Sequence, residues 1–122
     1  MSILQPQLVD NKTRDDLSKD PDLLFIIDEL PFRLQKAYNW VHTKQEVPQV
    51  LYWHCEAGCD RTGEASGAYY MKYLNYNVTA AFDRDTRECG RPPNYFSKGM
   101  IGWFCLYLEE QTGSDYGNCL DF

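Results

Sequence analysis

The chain is short of several things. Its 122 residues contain only two histidines and no Cys-x-x-C pair, so a structural zinc site of the usual spacing is excluded, and no metal or cofactor is expected. Positive charge is scarce: 12 Lys and Arg face 18 Asp and Glu, a net charge of −6. A general nucleic-acid binder needs a cationic stripe, so no nucleic-acid partner is expected. Apolar runs such as Leu23–Ile27 are far too short to span a bilayer, and no charged-then-apolar leader opens the sequence. Internal repeats and low-complexity tracts are missing too. Aromatic residues are abundant, at 15%, which argues for a packed core rather than a disordered chain. The length fits one domain over residues 1–122.

Within it, residues 1–22 read as a possible strand, Ile3–Val9, weakened by Pro6, followed by an acidic loop from Asp10 to Asp22. Residues 23–111 read as the core, and 112–122 as a loose Gly/Ser/Asp-rich tail. Leu23–Val41 has helical periodicity, with Ile27, Leu30, Leu34, Ala37, Tyr38 and Val41 on one face, and Pro31 marks a kink or a restart. Val50–Trp53 is a short run of strand formers suited to a buried parallel strand. Gly63–Tyr76 reads as a second helix. A third is capped by Asn77 or Thr79 and stopped by Gly90, and a fourth is capped by Asn94.

The chemistry concentrates in Trp53-His54-Cys55-Glu56-Ala57-Gly58-Cys59-Asp60-Arg61-Thr62-Gly63. A loop of this length between a strand end and a helix start can turn its N–H groups inward and bind a phosphate-sized anion. That field favours a thiolate at Cys55. Arg61 can clamp two phosphate oxygens, Gly58 admits unusual backbone angles, and Thr62 can place its hydroxyl near the sulfur. Glu56, Ala57, Gly58, Cys59, Asp60, Arg61 and Thr62 are therefore the candidate substrate-binding residues. Cys59 reads as a packing cysteine, with a redox pairing to Cys55 as the rarer reading. With five cysteines, at least one thiol stays free in a monomer.

His-Cys-x5-Arg-Thr-Gly resembles the phosphate-binding loop of the cysteine-based protein tyrosine phosphatases. Arg91-Pro92-Pro93-Asn94-Tyr95-Phe96 resembles the Arg-Pro step and last helix of their dual-specificity branch. The resemblance runs over roughly Leu23 to Glu110. It implies an α/β fold, a small mostly parallel sheet flanked by about four helices, truncated at its N-terminal side. It also implies a phosphatase acting on phosphorylated proteins or, because Asp60-Arg61-Thr62 resembles the loop ending of Sac-type and myotubularin lipid phosphatases, on phosphoinositides. In that mechanism Cys55 attacks phosphorus, Arg61 holds the oxygens, His54 orients the loop, and an aspartate protonates the leaving group. Asp10 follows the first strand and is the leading candidate, with Asp20, Asp22 and Asp60 as alternatives. The rival readings are a non-catalytic phosphate binder and a thiol redox protein. The compartment expected is the cytoplasm, although two N-glycosylation sequons, at Asn11 and Asn77, would fit a secreted parent.

Overall fold

The computed structural model describes residues 5–122. It has six α-helices in these residues: α1 (Asn11–Ser18), α2 (Pro21–Leu24), α3 (Leu30–His42), α4 (Arg61–Leu74), α5 (Val78–Cys89) and α6 (Tyr95–Thr112), with a 3-10 turn at Pro6–Leu8 before them. No strand occurs among the described residues, so the expected α/β fold with a parallel sheet is corrected to an all-helical one. Val50–Trp53 is irregular, with no neighbouring strand to pair with among the described residues, and it turns outward: Val50 is 91% exposed and Tyr52 79%. Its composition suits a sheet, but a strand exists only where a second one satisfies its backbone. The expected first strand fares likewise. Ile3 and Leu4 lie outside the described residues, and Pro6–Leu8 turns.

The acidic stretch expected to be a loop contains α1. Asp10 caps it by accepting from the Thr13 amide, and Lys12–Asp16 and Lys19–Asp15 form ion pairs one turn apart at 2.7 and 2.8 Å. The charge that looked like solvated loop is thus arranged at helical spacing. The long helix expected over Leu23–Val41 is split. α2 ends at Leu24, and α3 restarts with Pro31 in its first turn after Glu29 takes a left-handed conformation at φ 51°. Leu30 and Leu34 are buried as expected, whereas Ile27, before the restart, is exposed.

α5 and α6 begin at their expected caps: Asn77 accepts from the Ala80 amide and Asn94 from the Ser97 amide. Gly90 ends α5 at φ 91°. The core is built on α6, whose Ile101, Phe104, Cys105 and Leu108 are sealed from solvent against Met71 and Ala68 of α4 and Val78 and Ala81 of α5. Burying side chains of this size contributes about 1.5–3 kcal/mol each. Phe25, just past α2, closes the other side, edge-on to Phe104 at 5.8 Å and to Tyr107 at 5.3 Å. α4 and α5 approach closely: a Cβ on Gly67 would stand 2.7 Å from the Asp85 carboxylate of α5.

The tail is not loose. Cys119 is buried and disulfide-bonded to Cys105, the Tyr116 carbonyl accepts from the Val78 amide at 2.7 Å, and Phe122 packs on Phe82. The last ten residues are folded back onto the start of α5 and the middle of α6.

Candidate functional site

The loop between Cys55 and Arg61 closes around the Cys55 sulfur. Thr62 donates its hydroxyl to Sγ at 3.0 Å, and the amides of Thr62, Gly58 and Asp60 hydrogen-bond to the same atom. Gly58 provides the bend, at φ 75°, a conformation that side chains resist. The Thr62 hydroxyl bond does most to lower the thiol to about 6. Burial opposes it, and the three amides reinforce it. Cys55 is therefore largely thiolate at neutral pH, as the position between a turn and a helix start had implied.

Three fastenings hold this loop from its C-terminal side. Cys59 is disulfide-bonded to Cys89 at the end of α5, with Cα atoms 5.3 Å apart. This corrects the packing-cysteine reading of Cys59, and it leaves Cys55 the one free thiol. Asp60 accepts two hydrogen bonds from the Arg91 guanidinium, both at 2.9 Å, and one from the Asn94 amide at 2.8 Å. These partners, Arg91 foremost, pull its carboxyl down to about 2. The Arg-Pro segment singled out in the sequence is thus a strut under the loop, and Asp60 is its anchor. The third fastening is the Thr62 hydroxyl.

Arg61 opens α4 and is exposed. Glu56 and Ala57 lie exposed on the loop. His54 is exposed and stacks on Tyr52, with a ring nitrogen 3.4 Å from the Cys55 carbonyl, so its hold on the loop is slight. Trp53 anchors the approach to the loop instead, donating from its indole to Ser66 Oγ at 3.0 Å.

The aspartates expected as acids are otherwise engaged. Asp10 accepts from both the amide and the hydroxyl of Thr13, at 2.9 and 2.8 Å, and these bonds hold it below the ordinary carboxyl range. Asp20 caps α2 through the Leu23 amide, and Asp22 is an exposed residue in that helix's first turn. None of the three lines the cleft next to the loop.

That cleft, of about 760 Å³, has Asp60 and Arg61 in its wall, together with two carboxyl residues that sequence reasoning missed, Asp28 and Glu64. Asp28 sits between α2 and α3, accepts from the Leu30 amide at 3.0 Å, and hydrogen-bonds to Glu64. Glu64 lies one turn beyond Arg61 on α4, at the spacing that puts two side chains on one helix face. Burial, and then the charge of Asp28, push Glu64 up to about 7, against a modest opposing bond from Ser97. The rest of the lining is largely apolar, including Leu17, Leu24, Ile27 and Met100. Asp28 stands two residues before a helix start and reads in sequence only as a cap.

A second buried acid, Asp85, lies behind α4 against Gly63 and Gly67. One of its oxygens has no partner, and burial pushes it up to about 8. Among the described residues no three His, Cys, Asp or Glu side chains gather to hold a metal ion, and no helix is long and apolar enough to cross a membrane.

Compared with protein families, with curated proteins and with solved structures, the chain matches none.

Proposed function

We propose that this chain is a cysteine-dependent phosphatase that hydrolyses phosphate monoesters. The observation that carries this reading is the convergence of the Thr62 hydroxyl and three loop amides on the Cys55 sulfur, in a loop that ends at the exposed Arg61. A protein that only gripped phosphate, or only exchanged disulfides with Cys59, has no use for that arrangement, and Cys59 is already committed to Cys89. The absence of a basic residue between Cys55 and Arg61, and the pairing of Arg91 with Asp60, leave one open cation at the loop. That suits a single phosphate better than a polyphosphorylated inositol ring.

The Cys55 thiolate attacks phosphorus. A P–S bond forms as the bond to the leaving oxygen breaks, and the loop amides and Arg61 hold the three remaining oxygens. The leaving oxygen takes the bonding pair and a proton. We assign that proton to Glu64, because burial and the charge of its neighbour Asp28 keep it protonated to near neutrality. Asp10 and Asp60, both held in the ionised form, are poorly suited to donate. Water then attacks the phosphocysteine and gives a proton back to the Glu64 carboxylate. The P–S bond breaks, and inorganic phosphate leaves with the thiolate restored. The cycle balances without a cofactor.

The test is hydrolysis of nitrophenyl phosphate at pH 5.5 to 7, comparing wild type with Cys55→Ser. The expected result is turnover by wild type that vanadate and the substitution both abolish. A folded wild type with no turnover refutes the reading. As to compartment, the two disulfides favour an oxidising one over the expected cytoplasm.

A further inference from the structure

The cleft beside the loop is larger and more apolar than phosphate alone requires, and it reaches the C-terminal end of the loop. Arg61 and Asp60 form part of its wall, and the rest is mostly aliphatic and aromatic carbon. Large apolar side chains stand in this lining with much of their surface in water: Ile26 is 62% exposed, Ile27 77% and Phe96 59%. Scattered exposed hydrophobes need no explanation, but several around one cleft that also holds Arg61 mark a place where an apolar body is held.

We propose, resting on the phosphatase reading above, that this cleft holds the hydrocarbon body of a single-chain alkyl phosphate monoester while its phosphate sits between Cys55 and Arg61. Three observations select this occupant. The polar side chains around the cleft include the carboxylates of Asp28 and Asp60, so it repels a second negative charge on the substrate. Arg61 is the single cation in the lining, enough for one phosphate and no more. The walls offer carbon rather than the paired donors and acceptors that a peptide backbone would need once removed from water. The carboxyl pair fits the same substrate. An alkoxide is a far poorer leaving group than a phenoxide, and Asp28 with Glu64 sets a proton source in the cleft that the alcohol would occupy.

The experiment uses straight-chain alkyl phosphates from ethyl to octyl, kept below their micelle concentrations, against nitrophenyl phosphate and a phosphotyrosine peptide. The expected kcat/KM rises about two- to four-fold per methylene until the cleft is filled, and exceeds that of the peptide by octyl phosphate. Ile26→Ser/Ile27→Ser, which alters exposed positions and therefore folds, flattens this slope. In parallel, calorimetry on Cys55→Ser reads affinity without turnover, and the same chain-length gain is expected there, with a negative heat-capacity change. Turnover of nitrophenyl phosphate with no chain-length slope, or with the peptide preferred, overturns the cleft assignment and leaves the phosphatase reading standing. No turnover by wild type, but chain-length-dependent binding to Cys55→Ser, supports the cleft assignment and refutes the enzyme. Neither turnover nor binding overturns both.

Discussion

The chain on the two sides of Cys55 is built in opposite ways. After it, residues 55–62 are held by a disulfide to α5, by a two-pronged ion pair to Arg91 and by the Thr62 hydroxyl. Before it, residues 43–52 form neither helix nor strand and keep most side chains in water, and the first firm side-chain hold is the Trp53 indole on Ser66. The resemblance implied the reverse, a loop carried on a buried central strand. Here the loop is held by helices that follow it in sequence. A site can thus keep its local geometry while the sheet expected beneath it is missing, provided another part of the chain supplies the fastenings.

Several substitutions break or sharpen this contrast. Cys55→Ser removes the nucleophile, and kcat on nitrophenyl phosphate should fall by about 10⁴-fold or more with the melting curve unchanged. A surviving rate would move the nucleophile elsewhere. Cys89→Ser cuts the covalent fastening. It should cost about 2–4 kcal/mol in urea unfolding and lower activity too, because the loop loses its tie to α5. An unchanged rate would show that Arg91 and Thr62 suffice. Glu64→Gln should lower kcat on an alkyl phosphate by about 10²-fold and on nitrophenyl phosphate far less, since the better leaving group needs less help from an acid. Equal losses on both would point to a folding role.

Thr62→Val tests the electrostatics. The thiolate is the reactive form, so the rate climbs through the folded thiol's value of about 6 on the acid side. Without the hydroxyl, the charged form loses its strongest partner and that limb should move up by roughly one pH unit. A limb that stays put would assign the depression to the amides alone. Tyr52→Lys, on the unfastened side, should change stability by no more than about 0.5 kcal/mol. A large loss there would mean that this segment bears on the fold after all.

What could be read in the sequence was local. The caps Asn77 and Asn94, the stop at Gly90 and the restart at Pro31 each depend on a few neighbouring residues, and each lies where expected. The Cys55–Arg61 loop belongs with them, since Gly58 and Thr62 act within seven positions of the sulfur. The misreadings involve distance or company. Val50–Trp53 has strand composition but lacks the partner strand that gives such composition its meaning. Five cysteines do not announce which pairs they form, and the pairings found span 30 and 14 positions. Asp28 and Glu64 meet only because α3 and α4 bring them to one cleft, and nothing near either residue in the chain marks the meeting.

The disulfide pairing also makes the molecule its own assay. Four of the five cysteines are consumed in bridges, so an alkylating reagent has a single target, and uptake of one equivalent counts reactive centres directly. Following that labelling against pH gives the ionisation of one sulfur atom with no substrate present. The same stoichiometry governs damage: a peroxide that converts Cys55 to its sulfenic acid leaves it with no second thiol in the chain to trap it as a disulfide, so recovery depends on a thiol supplied from outside.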